Sequence, residues 1–171
     1  MVVVEVEALT FYFEIGWKTE KYDTWQFYQK NFQKIRSGVK AIDVFALSPE
    51  KHLFLIEVKD YRAHPRTKPS EITNEVSCKV FDSLAGLLPA KLNAFNSSEK
   101  NFAARALAAS KIKIILHLEQ PLKHSKLFPR AIDPASVQTQ LRQTLKAIDP
   151  HARVTETNSR SIRWTVTQNR S

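Results

Sequence analysis

Two short apolar runs, Val39 to Leu47 and His52 to Asp60, flank the turn-forming residues Ser48, Pro49, Glu50 and Lys51, and no other feature constrains the fold as much. They predict a β-hairpin. Apolar residues occupy both parities, with Ile42, Val44 and Ala46 interleaved with Ala41, Phe45 and Leu47, then Phe54, Ile56 and Val58 with Leu53 and Leu55. A strand with one wet face alternates, so this hairpin must be covered on both sides by other structure. A chain of 171 residues, 43% of them hydrophobic, can bury roughly two-thirds of its unfolded surface and supply that cover.

The flanking segments predict what does the covering. Val2 to Ile15 alternates in part and reads as an outer strand or hairpin, broken near Leu9 and Thr10. Asp23 with Gln26 reads as a capping box, with Tyr22 and Phe27 as a hydrophobic staple, opening a helix to about Ile35 along Trp25, Tyr28 and Phe32. Glu71 to about Leu88 reads as a helix that Pro89 kinks or ends. A helix over about Glu99 to Ser110 and a strand over Lys111 to Leu118 follow. Asp133 and Pro134 form an N-cap and first helical residue for a helix buried along Val137, Leu141, Leu145 and Ile148. Arg153 to Thr157 and Ser161 to Thr167 read as a closing hairpin. The order predicts an α/β (α+β) domain, one mixed central sheet flanked by helices, with no internal repeat and no Gly/Ser linker.

Charge is unevenly placed on this frame. The formal charge is +9, and residues 1–60, 61–110 and 111–171 carry 8, 7 and 11 basic against 9, 4 and 4 acidic side chains. The excess suits a polyanionic partner such as nucleic acid. Cys78 is the single cysteine, which excludes an internal disulfide and suits a reducing compartment. No run reaches the roughly eighteen apolar residues of a spanning helix, and the start Val2-Val3-Val4-Glu5 lacks a leader's pattern, so a cytoplasmic protein without a membrane partner is expected.

The charges set into the central hairpin carry the chemistry. Pairing Leu47 with Leu53 across the turn and counting outward places Asp43 opposite Glu57, with Lys59 on the same face two residues on. Opposed carboxylates destabilise a sheet unless a cation lies between them. Mg²⁺ accepts such oxygens, with the main-chain carbonyl of Val58 as a third donor, and could activate a water against a phosphodiester while Lys59 orients the water or holds a phosphoryl oxygen. The alternative is a structural ion-pair cluster.

Ile42-Asp43 followed by Glu57-Val58-Lys59 resembles the signature of the PD-(D/E)XK nuclease superfamily over about residues 20–118. The resemblance implies a restriction-endonuclease-like αβββαβ core, Asp43 and Glu57 as ligands of Mg²⁺ or Mn²⁺, Lys59 as the catalytic lysine, DNA as the partner, and a homodimer as a common assembly. Ile42 replaces the signature proline. Many members add an acid from the preceding helix, whose body here has none, which leaves Asp23 or Glu20 at its start as the third ligand. The first functional expectation is therefore a metal-dependent nuclease, with Asp43, Glu57 and Lys59 as its site. The second is an inactive nucleic-acid-binding or protein-interaction module on the same fold, and the third a structural partner in a larger assembly.

Other residues take secondary readings. Arg62, His64, Arg66 and Lys68 follow the motif and are candidates to hold phosphates, or form a solvated loop. Glu75, Lys79 and Asp82 read as a helix-surface salt bridge, with a catalytic role as the lesser reading. Gln138, Arg142 and Lys146 form a polar row, read first as a solvated face and second as a row that follows a nucleic-acid backbone, and Cys78 and His117 read as packed. Arg163 is expected to face solvent or nucleic acid while Trp164 packs, with base stacking on Trp164 as the lesser reading.

Overall fold

A computed structural model of the chain describes residues 1–63, 71–121 and 132–169. The central hairpin is β4 (Val44–Leu47) and β5 (His52–Asp60), and Leu47 pairs with Leu53 as the turn predicts. It lies inside a five-stranded sheet of order β3 (Lys18–Lys21), β4, β5, β6 (Lys111–Glu119), β7 (Arg153–Thr155). β3, β4 and β5 are antiparallel, and β5, β6 and β7 are parallel. This is a mixed α+β fold with the hairpin covered on both faces.

The two parities of β5 separate two cores. Leu53 and Leu55 face helices α2 (Ile72–Asn93), α3 (Ser97–Leu107) and α4 (Pro134–Thr144), meeting Val80, Leu87, Phe102 and Leu141. Phe54, Ile56 and Val58 face a second sheet of order β1 (Val2–Val6), β2 (Leu9–Phe13), β8 (Trp164–Gln168), meeting Phe11, Phe13, Trp164 and Val166. One face of the central sheet is thus covered by strands instead of helices. The closing hairpin does not form: β7 joins β6 in the large sheet, while β8 pairs antiparallel with β2. Local alternation specifies a strand's faces but not its neighbour, and Trp164 finds Phe13, Trp17 and Phe54 in the second core.

Three local expectations change. β3, Lys18-Thr19-Glu20-Lys21, gives no strand signal because it is a charged edge strand. The helix expected from Asp23 to Ile35 is a short helix α1 (Gln26–Lys30) between two single turns of 3₁₀ helix, and Asp23 does not cap it. The carboxylate of Glu99, from α3, does so instead, accepting Gln26 N–H at 2.7 Å and Phe27 N–H at 3.1 Å. Tertiary contact replaces the local cap, and Ile35 is left exposed. α2 runs through Pro89 to Asn93, because Leu87 and Ala90 on either side are buried and their packing offsets the one missing hydrogen bond. Asp133 caps α4 as predicted, accepting from Ala135 and Ser136.

Candidate functional site

The hairpin register places Asp43, at the entrance to β4, level with Glu57 on β5. Asp43 Oδ2 accepts the Val58 N–H at 2.7 Å, which fastens the carboxylate across the hairpin. Glu57 is fully buried. Between the two acids stands an ammonium: Lys79 Nζ from α2 is 2.5 Å from Glu57 Oε1 and 3.4 Å from Asp43 Oδ1. Lys59 Nζ is 2.9 Å from the same Glu57 oxygen and 2.9 Å from Oε1 of Glu75, also on α2. The predicted trio Asp43, Glu57 and Lys59 is therefore brought together, and two side chains of α2 complete it.

Glu75 and Lys79 are not a helix-surface pair. They lie with Val76, Val80 and Ser83 on the face of α2 turned to the sheet. Spacings of i and i+4 fit either an intrahelical bridge or a shared inward face, and the neighbouring valines were the signal for the second. Asp82 is also buried and works outward from the helix: its carboxylate accepts from Arg36 Nη2 at 2.5 Å and from Lys40 N–H at 2.9 Å. Ser83 Oγ accepts the Ile42 N–H at 2.8 Å. These two α2 residues hold residues 40–42 in the path that presents Asp43.

Among the described residues, three carboxylates and two ammonium groups share this small volume. Burial, with Asp43 beside it, pushes the Glu57 carboxyl up to about 7, while Lys79 and Lys59 pull it back only in part. Burial works against the charge on Lys59, but Glu57 and Glu75 outweigh it and hold the ammonium above the usual lysine range. Lys79 is raised for the same reason by Glu57 and Asp43.

Asp23 lines the groove above this cluster with Tyr28, Lys40, Asp43, Lys59 and Lys79. Burial and then Asp43 raise its carboxyl, and its Oδ1 is buried without a hydrogen-bond partner. Glu20 lies elsewhere, accepting Trp25 Nε1–H at 3.3 Å and Ser98 Oγ–H at 3.3 Å. Of these two acids, only Asp23 lines the groove. Arg62 is tied to Asp60, at 2.5 and 2.8 Å, and to Gln168 at 3.1 Å, and His64, Arg66 and Lys68 lie outside the described residues. Gln138 and Arg142 are not simply solvated, since Gln138 accepts the Val154 N–H and Arg142 donates to the Ala152 carbonyl. Cys78 is exposed, one residue from the inward face that holds Lys79. His117 is fully buried, as expected, between Glu119 and Thr155.

Among the described residues no three His, Cys, Asp or Glu side chains converge closely enough to form a metal-binding group. Asp43 and Glu57 do converge, and Glu57 Oε2 is buried with no hydrogen-bond partner. Two carboxylates suffice for Mg²⁺, which keeps several waters. The pair fits a hard cation, in the position that the Lys79 ammonium takes here.

The chain is 33% identical to a cysteine–tRNA ligase of Neisseria meningitidis over 167 aligned residues, which take in 80% of this chain and 24% of the relative. The chain thus spans about a quarter of the curated relative it matches. No family model and no solved structure matches. No helix among the described residues is long and apolar enough to cross a membrane. The similarity corrects the functional expectation: the matched protein is a tRNA ligase, which points away from a nuclease.

Proposed function

We propose that this chain is a tRNA-binding unit of an enzyme related to cysteine–tRNA ligase. One observation carries the reading: 80% of the chain aligns at 33% identity with about a quarter of that ligase. The net charge of +9 supports it, since neutralising phosphates supplies most non-specific affinity for nucleic acid. With three isolated glycines, the chain has no glycine-rich loop to cradle a nucleotide triphosphate, which favours a binding unit over a self-contained ligase. The acid and lysine cluster then organises the hairpin and α2 beneath the groove.

The test is filter binding of a cysteine tRNA transcript, a second tRNA and a DNA duplex of matched length. The expected result is micromolar affinity for tRNA at low salt, exceeding that for DNA and falling as salt rises. Equal or tighter binding of DNA, or no binding of tRNA, would sink the reading.

The unsatisfied Glu57 Oε2 favours one addition, a Mg²⁺ held by Asp43, Glu57 and the Val58 carbonyl when Lys79 withdraws. Bound there, the ion would supply positive charge and open coordination positions to an RNA phosphate. Calorimetric titration should show Lys79→Met binding Mg²⁺ at least tenfold more tightly than the parent, with uptake lost in Asp43→Asn. Absence of any uptake by Lys79→Met would remove the metal from the proposal.

A further inference from the structure

On the opposite face of the central sheet from the acid and lysine cluster, the second sheet leaves the first residues of β5, β6 and β7 uncovered. It leaves a cleft of about 220 Å³. Alternation along β5 sets His52 and Phe54 into this cleft while Leu53 and Leu55 face the helices. Its floor is apolar: Ile115, and the half-buried Phe54 and Ile162, with Trp164 closing the inner end at 5.5 Å from the Phe54 ring. Trp164 is 6% exposed, and its indole N–H is buried without a hydrogen-bond partner.

The rim is basic. Arg153 and Arg163 are exposed, with Lys113, His52 and His151 beside them. Arg153 donates to the Ser161 carbonyl at 2.9 Å, and Arg163 to the exposed Glu50 at 2.9 Å. Each guanidinium has five N–H donors, so both keep donors for a second acceptor. The one acid in the cleft, Asp149, is already engaged by the Ile114 and His151 N–H groups, with Lys113 Nζ at 3.8 Å. An apolar floor and a cationic rim together match a ligand with an aromatic ring at one end and an anion at the other. The floor is recessed between two sheets, where a base within a duplex does not reach, whereas an unpaired base does.

We propose that this cleft takes one unpaired nucleotide of an RNA strand, its base on Phe54, Ile115 and Ile162 against Trp164, and its phosphate on Arg153 and Arg163. The assignment rests on the reading that the chain binds tRNA and adds where an unpaired loop or end of that RNA is held. It also gives a role to three of the 11 basic side chains of residues 111–171, Lys113, Arg153 and Arg163.

The test is fluorescence anisotropy with a labelled single-stranded RNA pentamer and with the tRNA transcript, using the full chain, Phe54→Ala, and Arg153→Ala combined with Arg163→Ala. Both arginines are exposed, so the double variant keeps the test valid if Phe54→Ala folds poorly. Pentamer affinity should fall at least tenfold in each variant, and the double variant should lower the salt slope by about 1, the loss of one to two phosphate contacts. Unchanged pentamer and tRNA affinity in the double variant would overturn the cleft while leaving the tRNA reading intact. Failure of the parent chain to bind either RNA would overturn both.

Discussion

Gly86→Ala should destabilise the protein by about 3 kcal/mol, the upper end of the range for overpacking a core. Gly86 is buried in α2, and a methyl group added there falls on the hydroxyl oxygen of Tyr22, with Phe32 Cδ1 a further neighbour at 3.3 Å. Tyr22 is fully buried among Trp25, Tyr28 and Phe45, so its ring has nowhere to turn. Its hydroxyl has no hydrogen-bond partner, and burial raises its ionisation well above the usual tyrosine range. The contact therefore predicts a rescue. Tyr22→Phe removes an unpaired buried hydroxyl and should be neutral or slightly stabilising alone, and in combination with Gly86→Ala it should recover most of the loss. Urea unfolding of the two single variants and the double variant measures this, and additive effects would show that the close approach of helix and ring is not what requires glycine.

The second large effect lies at Glu57. Glu57→Ala removes the shared partner of Lys59 and Lys79 from a fully buried position and should cost about 3 kcal/mol, as when one member of a buried ion pair is deleted. Glu57→Gln should cost far less at neutral pH, because the raised Glu57 carboxyl is already partly protonated there and the amide keeps an oxygen for Lys59 and Lys79. The pH dependence separates the two effects. The Glu57 carboxyl is raised in the folded protein to about 7, from 4.5. Between those values the folded state holds a proton that the unfolded state has lost, so stability falls as pH rises through the window and levels off above it. The drop from this group is on the order of 3 kcal/mol, and Glu57→Gln should flatten it. A profile that rises from pH 4.5 to 7 in the parent, or one unchanged in Glu57→Gln, would show that the excess proton resides elsewhere in the cluster.

The inward turn of α2 links these two effects to the site. Gly86 admits Tyr22, Asp82 and Ser83 hold residues 40–42, and Glu75 and Lys79 close the cluster. One helix face thus packs the core, aims Asp43 and compensates the charge on Glu57.

Much of this was legible in the chain itself because it depends on short-range pattern. The turn at residues 48–51 sets the pairing of Leu47 with Leu53, and a period of two then carries Asp43 to Glu57 and puts Lys59 on the same face. Doubly apolar strands demand two covering layers, and Asp133 before Pro134 starts a helix wherever it occurs. The rest depends on contacts distant in sequence, which no local pattern encodes. Glu99 caps α1 from 73 residues away, β8 crosses to pair with β2, and Lys79 takes the cation position between two strands it does not adjoin. Function follows the same division. The triplet Asp43, Glu57 and Lys59 is visible as spacing, yet the same spacing serves a metal site or a buried charge cluster. Only the tertiary structure decided that α2 brings two further charges to it, because the free energy of burying a charge is set by whatever else is folded against it.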